Sequence, residues 1–400
     1  MMTNSSRHII ICGAGLGGLT AALALLRRGF RVTVLEQASA LGEVGAGIQL
    51  SANATGVLYR LGLGDALQAV ASIPTGKQIR LWNTGEAWKL FDLGAESQER
   101  YGYPYFTIYR ADLHRVLADA VMAASPDAIR LNARCVGVEQ TDQGVKVSLA
   151  DGGWVSGDVV IGADGVHSRI RAALFNDDKP RFSGCLAWRG VIPAKDLPEH
   201  LREPVGNNWI GPGAHVIHYP LRRGELVNFV GIVERDDWQV ESWNEAGNTD
   251  ECLRDFEGWH EDVQTMIKSI ATPFKWALMV REPMDSWTVG NITLLGDACH
   301  PTLPFLAQGA AMAIEDGYLV ARALETHDNS AVALQRYESA RKERTSRIVR
   351  GSAENAKRFH NPALATREGA TAYIDEQFSE PLVRSRYEWL FEYNVETVPL

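Results

Sequence analysis

The chain has 400 residues, enough to bury more than one hydrophobic core, and a formal net charge of −9. That acidic balance, with charges dispersed and not run in blocks, argues against binding along a nucleic-acid backbone, which needs a basic surface. The five cysteines (Cys12, Cys135, Cys185, Cys252 and Cys299) are odd in number, widely spaced and without a C-x-x-C, which argues against a disulfide framework and a structural metal site. Leu16 to Leu26 is apolar enough to resemble a secretion-signal core but lacks a small-residue cleavage site, and no apolar run reaches membrane length. The expectation is a cytoplasmic protein with no membrane or nucleic-acid partner and no bound metal.

In chain order, Ile9 to Ile11 reads as a buried parallel strand and Leu16 to Leu26 as a helix. Between them lies Gly13-Ala14-Gly15-Leu16-Gly17-Gly18. Gly13 permits the tight turn, Gly15 lets a pyrophosphate approach the backbone, and Gly18 lets helix and strand pack closely. The helix N-terminus offers unpaired amides and a partial positive charge to the diphosphate. Arg31 to Leu35 reads as the second strand. Glu36, followed by Gln37, ends it 21 residues beyond Gly15, close to the spacing of roughly 20 at which an acid accepts hydrogen bonds from a ribose.

A glycine-rich loop, Gly42 to Leu50 with Gly47 inside it, leads to a helix near Asn53 to Leu61. Ile79 to Leu93 alternates like a strand, with Trp82 and Trp88 as anchors, and Tyr109-Arg110-Ala111-Asp112-Leu113 opens another helix. Ala133 to Leu149 reads as a hairpin turning at Asp142-Gln143-Gly144, and Val155 to Ile161 as a strand running into Gly162-Ala163-Asp164-Gly165-Val166-His167-Ser168-Arg169. From Phe182 to about Phe274, strands, turns and tryptophans predict a separate sheet. Ile292 to Leu295 returns to a parallel-type strand and delivers Gly296-Asp297-Ala298-Cys299-His300-Pro301. Helix dominates from Gly309 onward.

The predicted fold class is α/β, a Rossmann-like nucleotide-binding domain interleaved with a mixed β-sheet substrate domain and followed by a helical C-terminus. The segments are 1–75, 106–180 and 279–330 for the first domain, 76–105 and 181–278 for the second, and 331–400 for the C-terminal region. Within the second domain, Ala214 to Leu221 has the pattern of a strand. His215, Ile217 and Tyr219 then share one face, and Val216 and His218 the other.

The three motifs together with Ala307-Gln308-Gly309-Ala310-Ala311-Met312 and Tyr387-Glu388-Trp389-Leu390-Phe391 resemble the single-component FAD-dependent aromatic hydroxylases of the para-hydroxybenzoate hydroxylase fold. The likeness covers essentially the whole chain and is nearest the branch of salicylate hydroxylase, 3-hydroxybenzoate 6-hydroxylase and 6-hydroxynicotinate 3-monooxygenase. It implies bound FAD, NADH or NADPH as a transient donor, and O2 as co-substrate. A flavin C4a-hydroperoxide then hydroxylates a small phenolic aromatic acid, with a salicylate-like acid favoured and 3-hydroxybenzoate or a hydroxypyridine carboxylate as alternatives. A larger non-phenolic substrate, or a non-catalytic FAD- and ligand-binding protein, is also compatible with the motifs. A monomer or a homodimer is expected.

Under this resemblance Asp297 contacts the ribityl and pyrophosphate region, Arg110 the FAD phosphates, and Asp164 belongs to a motif shared between FAD and nicotinamide. The amides at Gly309, Ala310 and Ala311 face the flavin pyrimidine ring. His215 is expected as the base or hydrogen-bond partner of the substrate phenol, with Tyr219 orienting the ring or its carboxylate. Both alternatively serve as plain sheet residues. His300 is expected to be structural or a flavin neighbour, and Cys299 a small buried residue. Trp188, Arg189, Trp209 and Phe229 are candidates to shape the pocket, with core packing as the default for each. Leu303-Pro304-Phe305-Leu306 gives it an apolar floor with few hydrogen-bond donors, as does Gln49 in place of a histidine found in the 6-hydroxynicotinate enzymes.

Overall fold

A computed structural model describes residues 6–42, 46–175, 179–237 and 245–400. Glu43, Val44 and Gly45 of the glycine-rich loop lie outside the described residues. Among the described residues the strands form four sheets.

The strands predicted at the start of the chain are His8–Cys12 and Arg31–Leu35, and they pair in parallel, with Ile9 opposite Val32. Val159–Gly162 flanks His8–Cys12 on the other side, and Ile292–Leu294 follows it, both again parallel. Thr288–Val289 and Ile129–Arg130 complete the six-stranded sheet. Its central strands are apolar on both faces because helices cover both, as parallel sheets require. The three fingerprint motifs sit at the carboxyl ends of neighbouring strands, where ligands of such sheets bind.

Gly76–Leu81 and Ala87–Asp92 join Val205–Gly211, Ala214–Leu221, Leu226–Glu234, Arg181–Pro193 and Phe274–Val280 in a mixed seven-stranded sheet. Two expectations need correction. Val155 to Ile161 is not one strand: Trp154–Gly157 belongs to a three-stranded sheet and Val159–Gly162 to the parallel one. Asp158 stands at the break, where its carboxylate accepts the His8 amide at 2.6 Å. The stretch from Phe182 to Phe274 also contains the helices Thr249–Asp255 and Glu261–Lys268. These cover the face of the sheet that carries Trp188, Trp209 and Phe229.

The helix Leu16–Arg27 packs against Gly309–Thr326 almost backbone to backbone. A Cβ on Gly317 would lie 2.7 Å from the Ala21 nitrogen and 2.8 Å from the Gly17 oxygen, so only glycine allows the approach. The C-terminal region is built on the helix Ser330–Phe359, followed by Arg367–Gln377 and Glu380–Phe391. Among the described residues no helix is long and apolar enough to cross a membrane.

An ion cluster is buried where these helices meet. Arg341 Nε lies 2.6 Å from Asp316 Oδ1, and its Nη2 2.6 Å from Glu315 Oε2. Arg344 binds both Glu315 oxygens, at 2.8 and 2.9 Å. His300 Nε2 and the Gly296 amide converge on Asp316 Oδ2 at 2.7 and 3.0 Å. Burial alone would raise the Asp316 carboxyl, but His300 and Arg341 bring it down to about 2.

Replacing Arg341 with leucine leaves two buried carboxylates under-compensated, so urea unfolding is expected to show a loss of about 3–5 kcal/mol. Asp316 in the wild type is depressed below its unfolded value of roughly 3.9. Its stabilisation is therefore complete above that value and is lost as pH falls through about 2.

Candidate active site

A cavity of about 1520 Å³, counting its open mouth, runs between the two large sheets. Gly15, Leu16 and Gly18 line one end of it, and His215, Ile217 and Tyr219 the other.

At the first end, Gly13 adopts a positive φ of 109°, and a Cβ there would strike the Ala163 carbonyl. A Cβ on Gly18 would strike the Gly13 carbonyl. Gly15 differs: its φ of −72° suits any residue and a Cβ would meet nothing within 4 Å. The protein's own packing gives no reason for glycine there, whereas a ligand against the backbone does. Gly15 caps its helix with no side-chain hydrogen bond, so the amides at that N-terminus remain open to the cavity. The helix Gly309–Thr326 likewise has no side-chain cap, and its first residues Gly309 and Ala310 line the cavity. Ala311 is wholly buried behind them.

Arg110 and Asp297 also line the cavity. Burial raises the Asp297 carboxyl, with Arg110 and His300 pulling against it. Glu36, Gln37, Gly13 and Asp164 are not among the residues that line the cavity. Glu36 accepts the amides of Ala14 and Ala38, each at 2.9 Å, and so braces the glycine-rich turn; Gln37 is exposed beside it. The Asp164 carboxylate accepts from Ser168 Oγ at 2.5 Å and from the amides of Arg169 and Ile170, capping the helix Arg169–Leu174, while its neighbours Ala163 and Gly165 reach the cavity.

At the second end the alternation in Ala214–Leu221 is as the sequence implies. His215, Ile217 and Tyr219 face the cavity, in cross-strand rows with Ile232 and Val230. Arg189, opposite Val230 on the next strand, extends the row. Burial first, and then Arg110, lowers its guanidinium to about 10. Trp188, Trp209 and Phe229 point the other way and pack in the core, the default reading for each, and do not shape the pocket. His218 shares that far face. It accepts from Trp209 Nε1 at 3.2 Å, and burial, helped by Arg80, lowers it to about 3. Gly47 packs against Tyr219, where a Cβ would lie 2.7 Å from the ring, and its amide donates to Asn228 Oδ1 at 2.7 Å.

The floor combines Leu303, Pro304 and Phe305 with a polar corner that the sequence did not reveal. Gln49 Oε1 accepts from the Tyr105 hydroxyl at 2.8 Å and from Lys77 Nζ at 3.3 Å. These bonds occupy the amide oxygen and leave the NH2 as the group they do not engage, so donors are closer to hand than an apolar floor implies. Burial lowers the Lys77 ammonium to about 8. His300 is structural, held by Asp316, and the Cys299 thiol is buried with its ionisation suppressed by burial. Sequence reasoning also missed His360, whose Nε2 lies 2.6 Å from His215 Nδ1. No local pattern announces a contact across 145 positions.

Comparison with known proteins agrees with this geometry. The model of the FAD binding domain family matches residues 7–352. The chain is 40% identical to the 3-amino-4-hydroxybenzoate 2-monooxygenase of Streptomyces platensis over 90% of this chain and 91% of that one. It is 37% identical to 3-hydroxybenzoate 6-hydroxylase 1 of Aquipseudomonas alcaligenes over 98% of each chain. Among solved structures, HpxO of Klebsiella pneumoniae, in complex with FAD and uric acid, superposes with a TM-score of 0.84 at 26% identity, covering 99% of this chain and 98% of that one. On these grounds the chain belongs to the FAD binding domain family and, within it, to the FAD-dependent aromatic monooxygenases.

Proposed function

We propose that this protein holds FAD along the cavity and hydroxylates a small phenolic aromatic acid, a hydroxybenzoate, at the expense of NADH or NADPH and O2. The observation that carries this reading is the cavity itself. It joins an uncapped helix N-terminus with an unexplained glycine, Gly15, to a buried histidine, His215, whose Nε2 has no hydrogen-bond partner among the described residues.

When bound, FAD supplies hydride acceptance from the nicotinamide and activation of O2, while the protein supplies position and electrostatics. The amides at Gly15 and Leu16 and the Arg110 guanidinium are suited to the diphosphate, and Gly13 and Gly18 hold the turn that aims those amides. Glu36 braces that turn and keeps lone pairs for a ribose, with Gln37 beside it. Asp297 is placed for the ribityl chain. The start of Gly309–Thr326, with Gly309, Ala310 and the buried Ala311, offers its positive end where negative charge gathers on the reduced ring. Asp164 contributes by fixing the loop whose Ala163 and Gly165 reach the cavity.

His215 accepts the phenolic proton, and Tyr219 orients the ring or its carboxylate. Burial, then His360 and Lys77, lowers His215 well below its ordinary value, so the ring is neutral and able to accept at neutral pH. The apolar wall of Ile217, Val230 and Phe305 excludes water from the reacting face.

The reading is tested by NADH and NADPH oxidation with salicylate, 3-hydroxybenzoate, 4-hydroxybenzoate, 3-amino-4-hydroxybenzoate, 6-hydroxynicotinate and urate. Strong stimulation by a phenolic acid supports it. Stimulation by urate alone, or by none, sinks it. With the accepted acid, His215→Ala is expected to lower hydroxylation by about a hundredfold or more while flavin stays bound; loss of the yellow colour would show a structural role instead. Gly15→Val should fold with unchanged urea stability but retain at least about tenfold less flavin, measured by absorbance after gel filtration.

A further inference from the structure

His215 is one end of a chain of hydrogen bonds that leads out of the protein. Its Nδ1 lies 2.6 Å from His360 Nε2, and His360 Nδ1 lies 2.9 Å from Glu234 Oε1. His215 is fully buried and His360 is 4% exposed, whereas the Glu234 side chain is 56% exposed to solvent. His360 follows the last residue of the helix Ser330–Phe359 and Glu234 ends the strand Leu226–Glu234, so three separated parts of the chain meet here.

Hydrogen-bond chemistry fixes the protons. An ionised carboxylate only accepts, so Glu234 requires the proton of His360 to sit on Nδ1. A neutral imidazole carries one N–H, which leaves His360 Nε2 as an acceptor and requires His215 to donate from its own Nδ1. His215 Nε2 is then a bare lone pair, and it is the ring nitrogen without a partner among the described residues. Burial, opposed by Glu234, lowers His360 below its ordinary value, so neither ring carries a charge at neutral pH. The charged groups facing this chain are Lys77 at the His215 end and Glu234 at the other.

We propose that His360 and Glu234 are positioning residues that lock His215 in the tautomer able to accept a phenolic proton and carry that proton out to solvent. For its substrate this rests on the hydroxybenzoate reading above. The phenolic O–H bond breaks, its electron pair stays on oxygen, and the proton joins His215 Nε2. The Nδ1 proton of His215 passes to His360 Nε2, and the Nδ1 proton of His360 passes to Glu234 and then to water. No electrons change hands. When the product regains a phenolic proton, the reverse shift restores the starting tautomers.

The test uses the full-length FAD-loaded protein with 15N-labelled histidine. Long-range proton–nitrogen correlation at neutral pH should show both His215 and His360 as Nδ1–H tautomers, with the signals assigned from His360→Asn and His215→Asn. An Nε2–H tautomer at either ring overturns the proposal. In Glu234→Gln the amide can donate as well as accept, so a population of the other His215 tautomer should appear; a spectrum identical to the wild type would overturn the claim that Glu234 sets the lock. Proton release on mixing with 3-hydroxybenzoate or 3-amino-4-hydroxybenzoate, followed with phenol red, should slow by about tenfold or more in Glu234→Gln and His360→Gln. Ligand affinity should stay within about threefold, and Glu234→Asp should recover part of the rate. Unchanged release in both variants removes the relay. The tautomers are read without substrate, so failure of every ring acid to bind would sink the hydroxybenzoate reading and leave the relay to the spectra.

Discussion

Two carboxylates adjacent in sequence, Glu315 and Asp316, are enclosed by Arg341, Arg344 and His300 with almost no access to water. Charges so placed are tolerated only when each finds a partner in good geometry. Satisfying them dictates much else. Asp316 ties the Gly296 loop and His300 to the helix Gly309–Thr326, and Glu315 ties that helix to Asn53 and to Ser330–Phe359. The N-terminus of Gly309–Thr326 is thus held at the cavity by ion pairs several residues deeper in the same helix. The amides that face the cavity need no local support, which is why their cap position can be left open.

The two sheets do different physical work. The parallel sheet is apolar on both faces, and its strands end in turns that bring glycine-rich backbone to the cavity beside the Asp297 side chain. The antiparallel part of the larger sheet alternates, so one face is a tryptophan-rich core against two short helices and the other is a wall of chosen side chains. Under the proposed function, the diphosphate of FAD meets helix-end amides and the Arg110 guanidinium, while the ring substrate meets wall residues exchangeable without disturbing the framework. Specificity can therefore drift while the flavin end stays constant, in keeping with the different ring acids named for the relatives.

What could be read from the sequence was what depends on local order. The fingerprint at Gly13, Gly15 and Gly18 lies on strand, turn and helix as spacing requires, and the alternation at His215, Ile217 and Tyr219 follows from the pleat of one strand. The split between Trp154–Gly157 and Val159–Gly162 was hidden because one residue, Asp158, separates two strands of similar composition. The partners of Gln49, namely Lys77 and Tyr105, were hidden because they come from different elements. The hold on Asp164 was hidden too: its carboxylate is claimed by Ser168 Oγ and the first two amides of the helix Arg169–Leu174, a capping role that the motif does not spell out. His360 was beyond reach: nothing near Asn361-Pro362 marks the preceding residue as anything but a helix end.

The helix Ser330–Phe359 has 30 residues and so spans about 45 Å. Arg341 and Arg344 grip the buried carboxylates. Ser352 and Asn355 hold the Leu303 and Phe305 carbonyls at 2.6 and 3.2 Å, and the residue after its end touches His215. The helix therefore works as a measuring rod with three fixed marks. Exchanging an outward residue leaves the marks in place. Adding or removing one residue between Arg344 and Asn355 turns everything beyond it by about 100° and shifts it by roughly 1.5 Å. Evolution of this chain can then rewrite the rod's surface freely, but it can alter the rod's length only by rebuilding the whole pocket at once.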